Sequence, residues 1–300
     1  MILCAGEALI DMLPRKTEAG GDAFEPVAGG AVMNTAVALG RLGSDVQFFS
    51  GLSTDLFGDV IKAHLEASKV DVSPANFSDD PTTLAFVKLV NGQASYAFYD
   101  ENTAGRLLSE ADLPEVTADA LFFGGISLVV EPCAKAYEAL MLREAPNRLT
   151  MIDPNVRPSF IKDEEAYRDR IQRMMAAADI IKTSDEDLEW LVGNTDATQL
   201  LSGNTRVILL TKGAEGVSIV TKDGVEDVPA AQANITEDSD TIGAGDTFNA
   251  GFLAGLDRQG CLSKERLAGA DLATATALGA KAAAITVSRA GANPPWADEL

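Results

Sequence analysis

Asp246 stands at the end of a short glycine-rich segment, directly before a run of small and apolar residues. Gly243, Ala244 and Gly245 precede it, and such residues let the backbone turn tightly and approach a ligand closely. A glycine turn that opens a helix presents unpaired N–H groups and the positive end of the helix dipole, which together bind anions. A carboxylate there would repel a phosphate, but it could accept the proton of a hydroxyl that attacks the phosphate. The alternative is that Asp246 is only a helix cap, a role that acids fill well.

A second acid, Asp11, follows the apolar segment at the start of the chain. Ligand contacts in open α/β sheets collect just beyond the ends of such strands, and an ionised carboxylate can accept several hydrogen bonds. Gly29, Gly30 and Asn34 come next, at the start of a predicted helix. Backbone amides freed by the glycines, together with the side-chain amide of Asn34, suit a hydroxylated ligand. The alternative for Asp11 is a solvated acid in a turn.

The elements that must position these residues follow from the apolar pattern. Short apolar segments alternate with helical patterns, which indicates βαβ units and a mainly parallel sheet. The predicted core strands cover residues 2–6, 46–50, 120–124, 149–153, 179–182 and 206–211. The predicted helices cover residues 31–42, 55–68, 131–143, 164–177, 185–192, 246–258 and 264–284.

Two predicted hairpins depart from a purely parallel sheet. Residues 83–90 and 94–99 flank an Asn-Gly pair at 91–92, which is a strong signal for a tight turn because both turn positions favour φ > 0. A second hairpin is predicted from residues 216–221 and 225–228. Antiparallel ribbons inserted into an α/β chain often serve as lids. The alternative for the first hairpin is a plain extension of the sheet.

Composition limits the class of protein. A chain of 300 residues with 46% hydrophobic and 23% charged residues is ordinary for a globular enzyme. The net charge of −21 argues against nucleic acid as a partner, because phosphate backbones are bound by clustered Lys and Arg. There is no apolar segment of membrane-spanning length, no basic secretory signal at the N-terminus and no P-loop motif. The three cysteines have no CxxC spacing, so we expect a reducing cytoplasm.

The segment from Asp240 to Asp246 resembles the C-terminal signature of the ribokinase-like (PfkB) carbohydrate kinases, in which the last aspartate is the catalytic base. The glycine pair with Asn34 is similar to the family's first signature, so the resemblance covers nearly the whole chain. It implies one three-layer α/β/α domain over residues 1–300, with a mainly parallel sheet. It also implies a small β lid formed by residues of about 12–30 and 83–100.

The resemblance implies roles for individual residues. The amides of Gly243, Ala244 and Gly245 would stabilise charge on the transferred phosphoryl group, with Asp246 as the base. The implied sugar-binding residues are Asp11, Gly29, Gly30, Asn34, Arg106 and Arg157. The implied nucleotide-binding residues are Ser184, Thr211, Gly213 and Gly216. Arg157 could bind a phosphate or a sugar oxygen through its planar donor fork, or it could be a structural ion-pair partner.

The implied metal-binding residues are Asp187 and Asp240. Ser184 and Asp187 stand where the family usually has Asn and Glu, which organise metal-bound water and phosphate. The shorter acid can still help to bind Mg²⁺ through water, because Mg²⁺ keeps several waters. Asp240 matches a position that supports a K⁺ site in relatives.

The activity that the resemblance implies is transfer of a phosphoryl group from ATP to the primary hydroxyl of a sugar, with D-fructose as the first choice. Residues 6–14 and 153–158 resemble the fructokinase-like members of the family. The alternatives are a 2-keto-3-deoxygluconate kinase, a ribokinase or nucleoside kinase, and a sugar-sensing protein without catalysis. ATP, Mg²⁺ and optionally K⁺ are the implied cofactors, with neither nucleic acid nor membrane as a partner. Relatives often form homodimers through the lid.

Overall fold

The central element is a mainly parallel sheet. The computed structural model describes residues 1–90, 93–236 and 239–300. The strands are β1 (Ile2–Ala5), β2 (Leu9–Lys16), β3 (Asp22–Gly29), β4 (Val46–Phe49), β5 (Gly51–Ser53), β6 (Asn76–Ser78), β7 (Leu84–Val90), β8 (Gln93–Tyr99), β9 (Ala120–Gly124), β10 (Leu149–Asp153), β11 (Ile180–Ser184), β12 (Val207–Thr211), β13 (Val217–Thr221) and β14 (Gly224–Val228). The helices are α1 (Ala31–Arg41), α2 (Leu56–Ala67), α3 (Ala104–Leu107), α4 (Cys133–Glu144), α5 (Glu164–Ala177), α6 (Asp185–Val192), α7 (Ala244–Arg258), α8 (Lys264–Leu267) and α9 (Leu272–Val287).

The main sheet has the strand order β14-β13-β12-β11-β10-β9-β1-β4. Its neighbours are parallel from β4 to β12, and β13 and β14 add an antiparallel hairpin at one edge. Alternate side chains of β1 enter two separate cores, with Ile2 and Cys4 on one face and Leu3 and Ala5 on the other. Helices α1, α2, α7 and α9 contribute to the first core, and α4, α5 and α6 to the second. The predicted three-layer α/β/α architecture is confirmed.

A second sheet has the order β3-β2-β7-β8. It contains the antiparallel pairs β2–β3 and β7–β8, joined by parallel pairing of β2 with β7. The first predicted hairpin therefore forms, although its predicted turn at 91–92 lies outside the described residues. No helix built by the described residues is long and apolar enough to cross a membrane.

One predicted helix is wrong. The single helix expected over 264–284 is two helices, because α8 ends at Leu267 and α9 begins at Leu272. Asp271 caps α9 by accepting hydrogen bonds from Thr274 N at 2.9 Å and Thr274 Oγ1 at 2.7 Å. The small residues on both sides of the break keep a helical pattern, which hid the cap from sequence reasoning.

Helix α7, which carries Asp246, packs very closely against α9. A Cβ atom on Gly251 would lie 2.6 Å from Gly279 Cα, and one on Gly255 would lie 2.7 Å from Ala275 Cα. Contacts of that length leave no room for a side chain. The glycines therefore let the two backbones touch, and this contact fixes the position of α7 on the sheet.

We predict that Gly251→Ala lowers the free energy of unfolding by roughly 1–3 kcal/mol, because the added methyl group overpacks the contact of α7 with α9. Denaturant unfolding followed by circular dichroism measures the change. Gly269→Ala is the matched control: its Cβ would have no neighbour nearer than Arg266 O at 3.7 Å, so we expect no loss of stability. Equal losses in the two variants would contradict the packing argument.

Candidate active site

A cleft of about 350 Å³ lies at the carboxyl ends of the parallel strands. Polar groups from distant parts of the chain meet there. Predicted site residues that line the cleft are Asp11, Gly30, Asn34, Arg157, Gly243, Gly245 and Asp246. Residues that line it but were not predicted include Glu7, Phe98, Asn155, Ser159 and Lys182.

A larger cavity of about 660 Å³ adjoins the cleft and has a mostly apolar lining. The predicted nucleotide-binding residues Thr211, Gly213 and Gly216 line it, together with Ala244. Gly245 lines both the cleft and this cavity. The glycine turn before α7 therefore separates a polar space from an apolar one, and its amides can reach a ligand group that passes between them.

The turn itself has the geometry that the sequence predicted. Gly243 is the N-cap of α7 and has φ 72°, a left-handed conformation that favours glycine. First-turn N–H groups have no intrahelical acceptor. The amide of Ala244 donates to Thr241 O at 3.3 Å, so it is partly engaged within the turn.

Asp246 lies within the first turn of α7 and is 8% exposed. Its Oδ2 accepts a hydrogen bond from Asn34 Nδ2 at 2.9 Å, and its backbone carbonyl accepts one from Thr35 Oγ1 at 3.2 Å. Among the residues that the structure describes, no side chain caps α7, so the alternative that Asp246 is only a helix cap is wrong. The carboxylate is instead held by α1 and faces the cleft.

Burial raises the pKa of Asp246 to about 7, and the hydrogen bond from Asn34 only partly opposes this. Repulsion from Asp153 adds to the increase, whereas attraction by Lys182 reduces it. A carboxylate with a pKa near neutrality can accept a proton and release it again at physiological pH. That property suits a general base.

Lys182 is the most important residue that the sequence analysis missed. Its Nζ donates to Asp153 Oδ2 at 2.9 Å, and Asn249 Nδ2 donates to the same oxygen at 2.8 Å. A Cβ atom on Gly245 would lie 3.3 Å from Lys182 Nζ, so the ammonium group lies against the glycine turn. Burial would lower the pKa of Lys182, but attraction by Asp153 outweighs it and raises the pKa. A lysine directly after two isoleucines, within a predicted strand, was the signal that could have identified it.

Asp11 lines the opposite side of the cleft, on β2. A Cβ atom on Gly29 would lie 2.4 Å from Asp11 Oδ2, so a side chain at Gly29 would displace the carboxylate. Gly29 itself does not line the cleft, and it acts on the site through this close approach. Burial raises the pKa of Asp11 to about 6.

Glu7 joins two backbone segments beneath the cleft and was also missed. Its Oε1 accepts a hydrogen bond from Ala31 N at 2.9 Å, and its Oε2 accepts one from Ser127 N at 3.2 Å. Burial raises its pKa above the usual value. Glu7 thereby ties the first turn of α1 to the loop after β9.

The two predicted arginines lie in different places. Arg157 lines the cleft and donates to Val156 O at 3.0 Å, and it makes no ion pair among the described residues. Arg106 lies beside a separate, small cavity of about 30 Å³. Its Nη1 is 3.1 Å from Asp100 Oδ2, and its Nε donates to Glu131 O at 3.2 Å. The structure does not bring Arg106 into the cleft.

Ser184, Asp187 and Asp240 line neither cavity. Ser184 Oγ caps α6 by accepting a hydrogen bond from Asp187 N at 3.0 Å. Burial, with repulsion from Asp153, raises the pKa of Asp187. Asp240 Oδ1 accepts a hydrogen bond from Ile242 N at 2.8 Å. Within the described ranges, no group of three or more His, Cys, Asp or Glu side chains is arranged to hold a metal ion.

Comparison with known proteins agrees with this geometry. The model of the pfkB family carbohydrate kinases matches residues 1–299. The chain therefore belongs to this family, and it is an ATP-dependent carbohydrate kinase.

Comparison with individual proteins narrows the class of carbohydrate kinase further. The chain is 52% identical over 277 residues to a fructokinase of Rhizobium leguminosarum bv. trifolii, covering 90% of this chain and 84% of that protein. A crystal structure of fructokinase from Xylella fastidiosa with bound ATP superposes with a TM-score of 0.86 at 30% identity, covering 97% of this chain and 93% of the other. The aminoimidazole riboside kinase of Salmonella enterica superposes with a TM-score of 0.84 at 25% identity, covering 99% and 97%.

The raised pKa of Asp246 predicts a dependence of stability on pH. The unfolded chain loses this proton near its ordinary pKa of about 3.9, whereas the folded chain keeps it until about pH 7. The folded state therefore binds more protons between these values, and this group's contribution to stability falls as pH rises. We expect Asp246→Asn to be more stable than the wild type at pH 8, by on the order of 2–4 kcal/mol, and equally stable near pH 4.

Asp55→Asn is the control, because its effect on stability at high pH should have the opposite sign. Burial would raise the pKa of Asp55, but hydrogen bonds from Thr82 and Gly58 outweigh it and lower the pKa. This variant should be less stable than the wild type at pH 8, with a smaller difference at low pH. Urea unfolding of the three proteins across pH 2–8 measures both trends, because the contribution of Asp55 is lost only below about pH 4. Parallel curves for Asp246→Asn and the wild type would contradict the raised pKa.

Proposed function

We propose that the protein is a fructokinase, which transfers the γ-phosphoryl group of ATP to the primary hydroxyl of D-fructose. The observation that carries the proposal is the glycine turn at Gly245, which lines both the polar cleft with Asp246 and the apolar cavity. A sugar in the cleft and a nucleotide in the cavity would meet at this turn. The identity of 52% to a bacterial fructokinase supports fructose as the acceptor.

In the proposed reaction, Asp246 accepts the proton of the sugar hydroxyl. The hydroxyl oxygen forms a bond to the γ-phosphorus while the bond from that phosphorus to the bridging oxygen of ADP breaks. The first-turn amides of α7 stabilise the charge on the transferred group, with Gly243 and Gly245 as the main donors because Ala244 N is partly engaged by Thr241 O. Asp11, Gly30 and Asn34 orient the sugar.

Lys182 adds the positive charge that this arrangement needs. Its contact with the glycine turn supports a role in binding the γ-phosphate. Asp153 Oδ2 accepts the hydrogen bond from the ammonium group, and Asn249 fixes that carboxylate by donating to the same oxygen. A fixed cation beside the transferred phosphoryl group stabilises the charge that spreads over its oxygens.

The proposed metal is Mg²⁺, bound with ATP. Burial, together with repulsion from Asp153, raises the pKa of Asp187, and a nearby divalent cation would relieve that repulsion. Mg²⁺ usually binds through one or two carboxylates, waters and substrate phosphates, so a complete protein cage is not needed. These residues therefore fit the ion, with Asp187 acting through water, and Mg²⁺ would neutralise phosphate charge. We also propose that the carboxylate of Asp240 supports a separate K⁺ site.

The surroundings of Arg106 bear on the choice of acceptor. A sugar acid such as 2-keto-3-deoxygluconate needs a cation for its carboxylate, and a bidentate arginine is the strongest partner available. Arg106 is instead paired with the buried Asp100 and donates to Glu131 O. Only Arg157 and Lys182 are cationic among the described residues that line the cleft. We assign both to phosphate, which favours a neutral sugar.

We propose that the second sheet is a lid within a single domain over residues 1–300. Phe98 on β8 lines the cleft, and its ring packs against Phe160 with centroids 4.6 Å apart. That contact joins the sheet to the segment that carries Arg157. A closed lid would exclude water, so that ATP is not hydrolysed in place of sugar phosphorylation.

The other face of this sheet supports a homodimer through the lid. The rings of Phe24, Phe86 and Tyr99 form a series of edge contacts with centroids 5.0 and 5.3 Å apart. Phe24 is 47% exposed and Tyr99 is 62% exposed, and exposed apolar clusters of this kind are typical of protein interfaces.

The three cysteines are all free and buried, which supports a reducing cytoplasm as the location.

The decisive variant is Asp246→Asn. It keeps the size of the side chain and removes its capacity to accept a proton, so kcat should fall by roughly 10²–10⁴. ATP affinity should be unchanged or higher, because a negative charge beside the phosphate site is lost. Steady-state kinetics and calorimetric titration with ATP measure the two quantities. A folded variant that binds ATP and keeps near-normal turnover would remove the proposed base.

The acceptor is tested by comparing kcat/KM for D-fructose, 2-keto-3-deoxygluconate, D-ribose and a riboside. We expect fructose to be preferred over the sugar acid by at least roughly ten-fold, because Arg106 is paired with Asp100 outside the cleft and Arg157 is assigned to phosphate. A preference for the sugar acid or the riboside would reassign the substrate within the family. No turnover with any of these acceptors, despite ATP binding, would favour a sensing role.

A further inference from the structure

The last ten residues, 291–300, form a segment that we call the C-terminal strap, and its beginning lies against the glycine turn. Gly291 N donates to Asp240 Oδ2 at 2.8 Å, while the other oxygen of that carboxylate accepts a hydrogen bond from Ile242 N at 2.8 Å. A Cβ atom on Gly243 would lie 3.0 Å from Ala292 Cα. The strap thus touches the turn at two points, once by hydrogen bonding and once by packing.

Arg41, the last residue of α1, anchors the strap. Its Nη1 donates to Asn293 Oδ1 at 2.8 Å and to Pro294 O at 3.0 Å. Its guanidinium carbon lies 5.4 Å from the ring centroid of Trp296, and Lys69 Nζ lies 5.4 Å from the same centroid. Two cations on one indole ring, together with one hydrogen bond to a side-chain oxygen and one to a backbone carbonyl, fix the strap more firmly than surface packing alone would.

At the end opposite to Arg41, helix α1 contacts Asp246 directly. Asn34 donates to the Asp246 carboxylate and Thr35 donates to the Asp246 carbonyl, both from the first turns of the helix. The same helix therefore holds Asp246 directly and holds Gly243 through Arg41 and the strap. A displacement of the strap would move one side of the turn while the other side stayed attached to α1.

We propose that Arg41 is a positioning residue for phosphoryl transfer, which acts through the C-terminal strap to hold the glycine turn 240–246 in register with Asp246. This inference rests on the proposed role of that turn in binding the transferred phosphoryl group. Arg41 touches neither sugar nor nucleotide in this scheme. Its effect arises because a displacement of about 1 Å in a site that positions reacting atoms can lower the rate by up to about 10².

The kinetic test compares Arg41→Ala with Arg41→Lys. The alanine variant should lower kcat by roughly 10- to 100-fold, with KM for fructose within two-fold of the wild type because Asp11 and Gly30 are not disturbed. The lysine variant keeps a cation over Trp296 and one donor for the strap, so it should recover most of kcat. Arg143→Ala is the matched control, since Arg143 also lies in the last turn of a helix and donates to a loop carbonyl, Pro114 O at 2.6 Å. It should leave kcat unchanged.

Hydrogen–deuterium exchange on the free enzyme tests the physical link without any substrate. In Arg41→Ala, amide exchange should become faster both in the strap and in the turn 240–246, and Trp296→Ala should reproduce this pattern. Faster exchange in the strap alone, with kcat unchanged, would overturn the proposal. So would a loss of kcat in Arg41→Ala that Arg41→Lys does not recover. If the wild type phosphorylates a sugar other than fructose, the proposed acceptor fails, while the exchange result and kcat with that sugar still decide the role of Arg41.

Discussion

The site depends on a buried cluster of charged side chains, in which one cation offsets two carboxylates. Asp153 and Asp246 are both buried beside a turn whose amides favour anions, and Asp153 raises the pKa of Asp246. Lys182 offsets these carboxylates, and breaking such a buried pair by removing one partner is strongly unfavourable. Because β10 and β11 are parallel neighbours, Asp153 and Lys182 meet at the same end of the sheet. The order of the strands therefore brings the cation to the site, and α7 brings Asp246.

The local charge of the site differs from that of the whole chain. A net charge of −21 creates a field that opposes an anionic nucleotide. The cleft nevertheless contains Lys182 and Arg157, and the turn adds the positive end of a helix dipole. These groups act at contact distance, where the field of distant surface carboxylates is screened by salt. Acidity of the surface and affinity for phosphate are thus compatible in one protein.

The sequence was informative where the chemistry is local. The glycine turn, Asp246, Asp11 and Asn34 lie in short segments whose residue types identify them, and the structure brings them into one cleft. The alternation of apolar segments gave the parallel sheet, because burial on both faces leaves a pattern that is visible in each strand.

The remaining features depend on pairings across the fold, which a single sequence does not specify. The importance of Lys182 is visible only in the folded protein, because strand register places its ammonium group beside Asp153 and Gly245. The resemblance implies a sugar contact for Arg106, but its guanidinium group is paired with Asp100 beside a separate cavity. The break between α8 and α9 was invisible because small apolar residues continue on both sides of Asp271.

The hydrogen bond between Asn34 and Asp246 spans 212 positions of the chain, and this separation has a consequence for synthesis. Chains grow from the N-terminus, so the second sheet and the cleft residues Asp11 and Asn34 emerge long before α7. A nascent chain that has formed most of its sheet still lacks the glycine turn and Asp246. Contacts of such long sequence separation also form late in folding, since loop closure must come first. A chain that ends before residue 240 therefore lacks both the glycine turn and Asp246, however completely the rest of its sheet has formed.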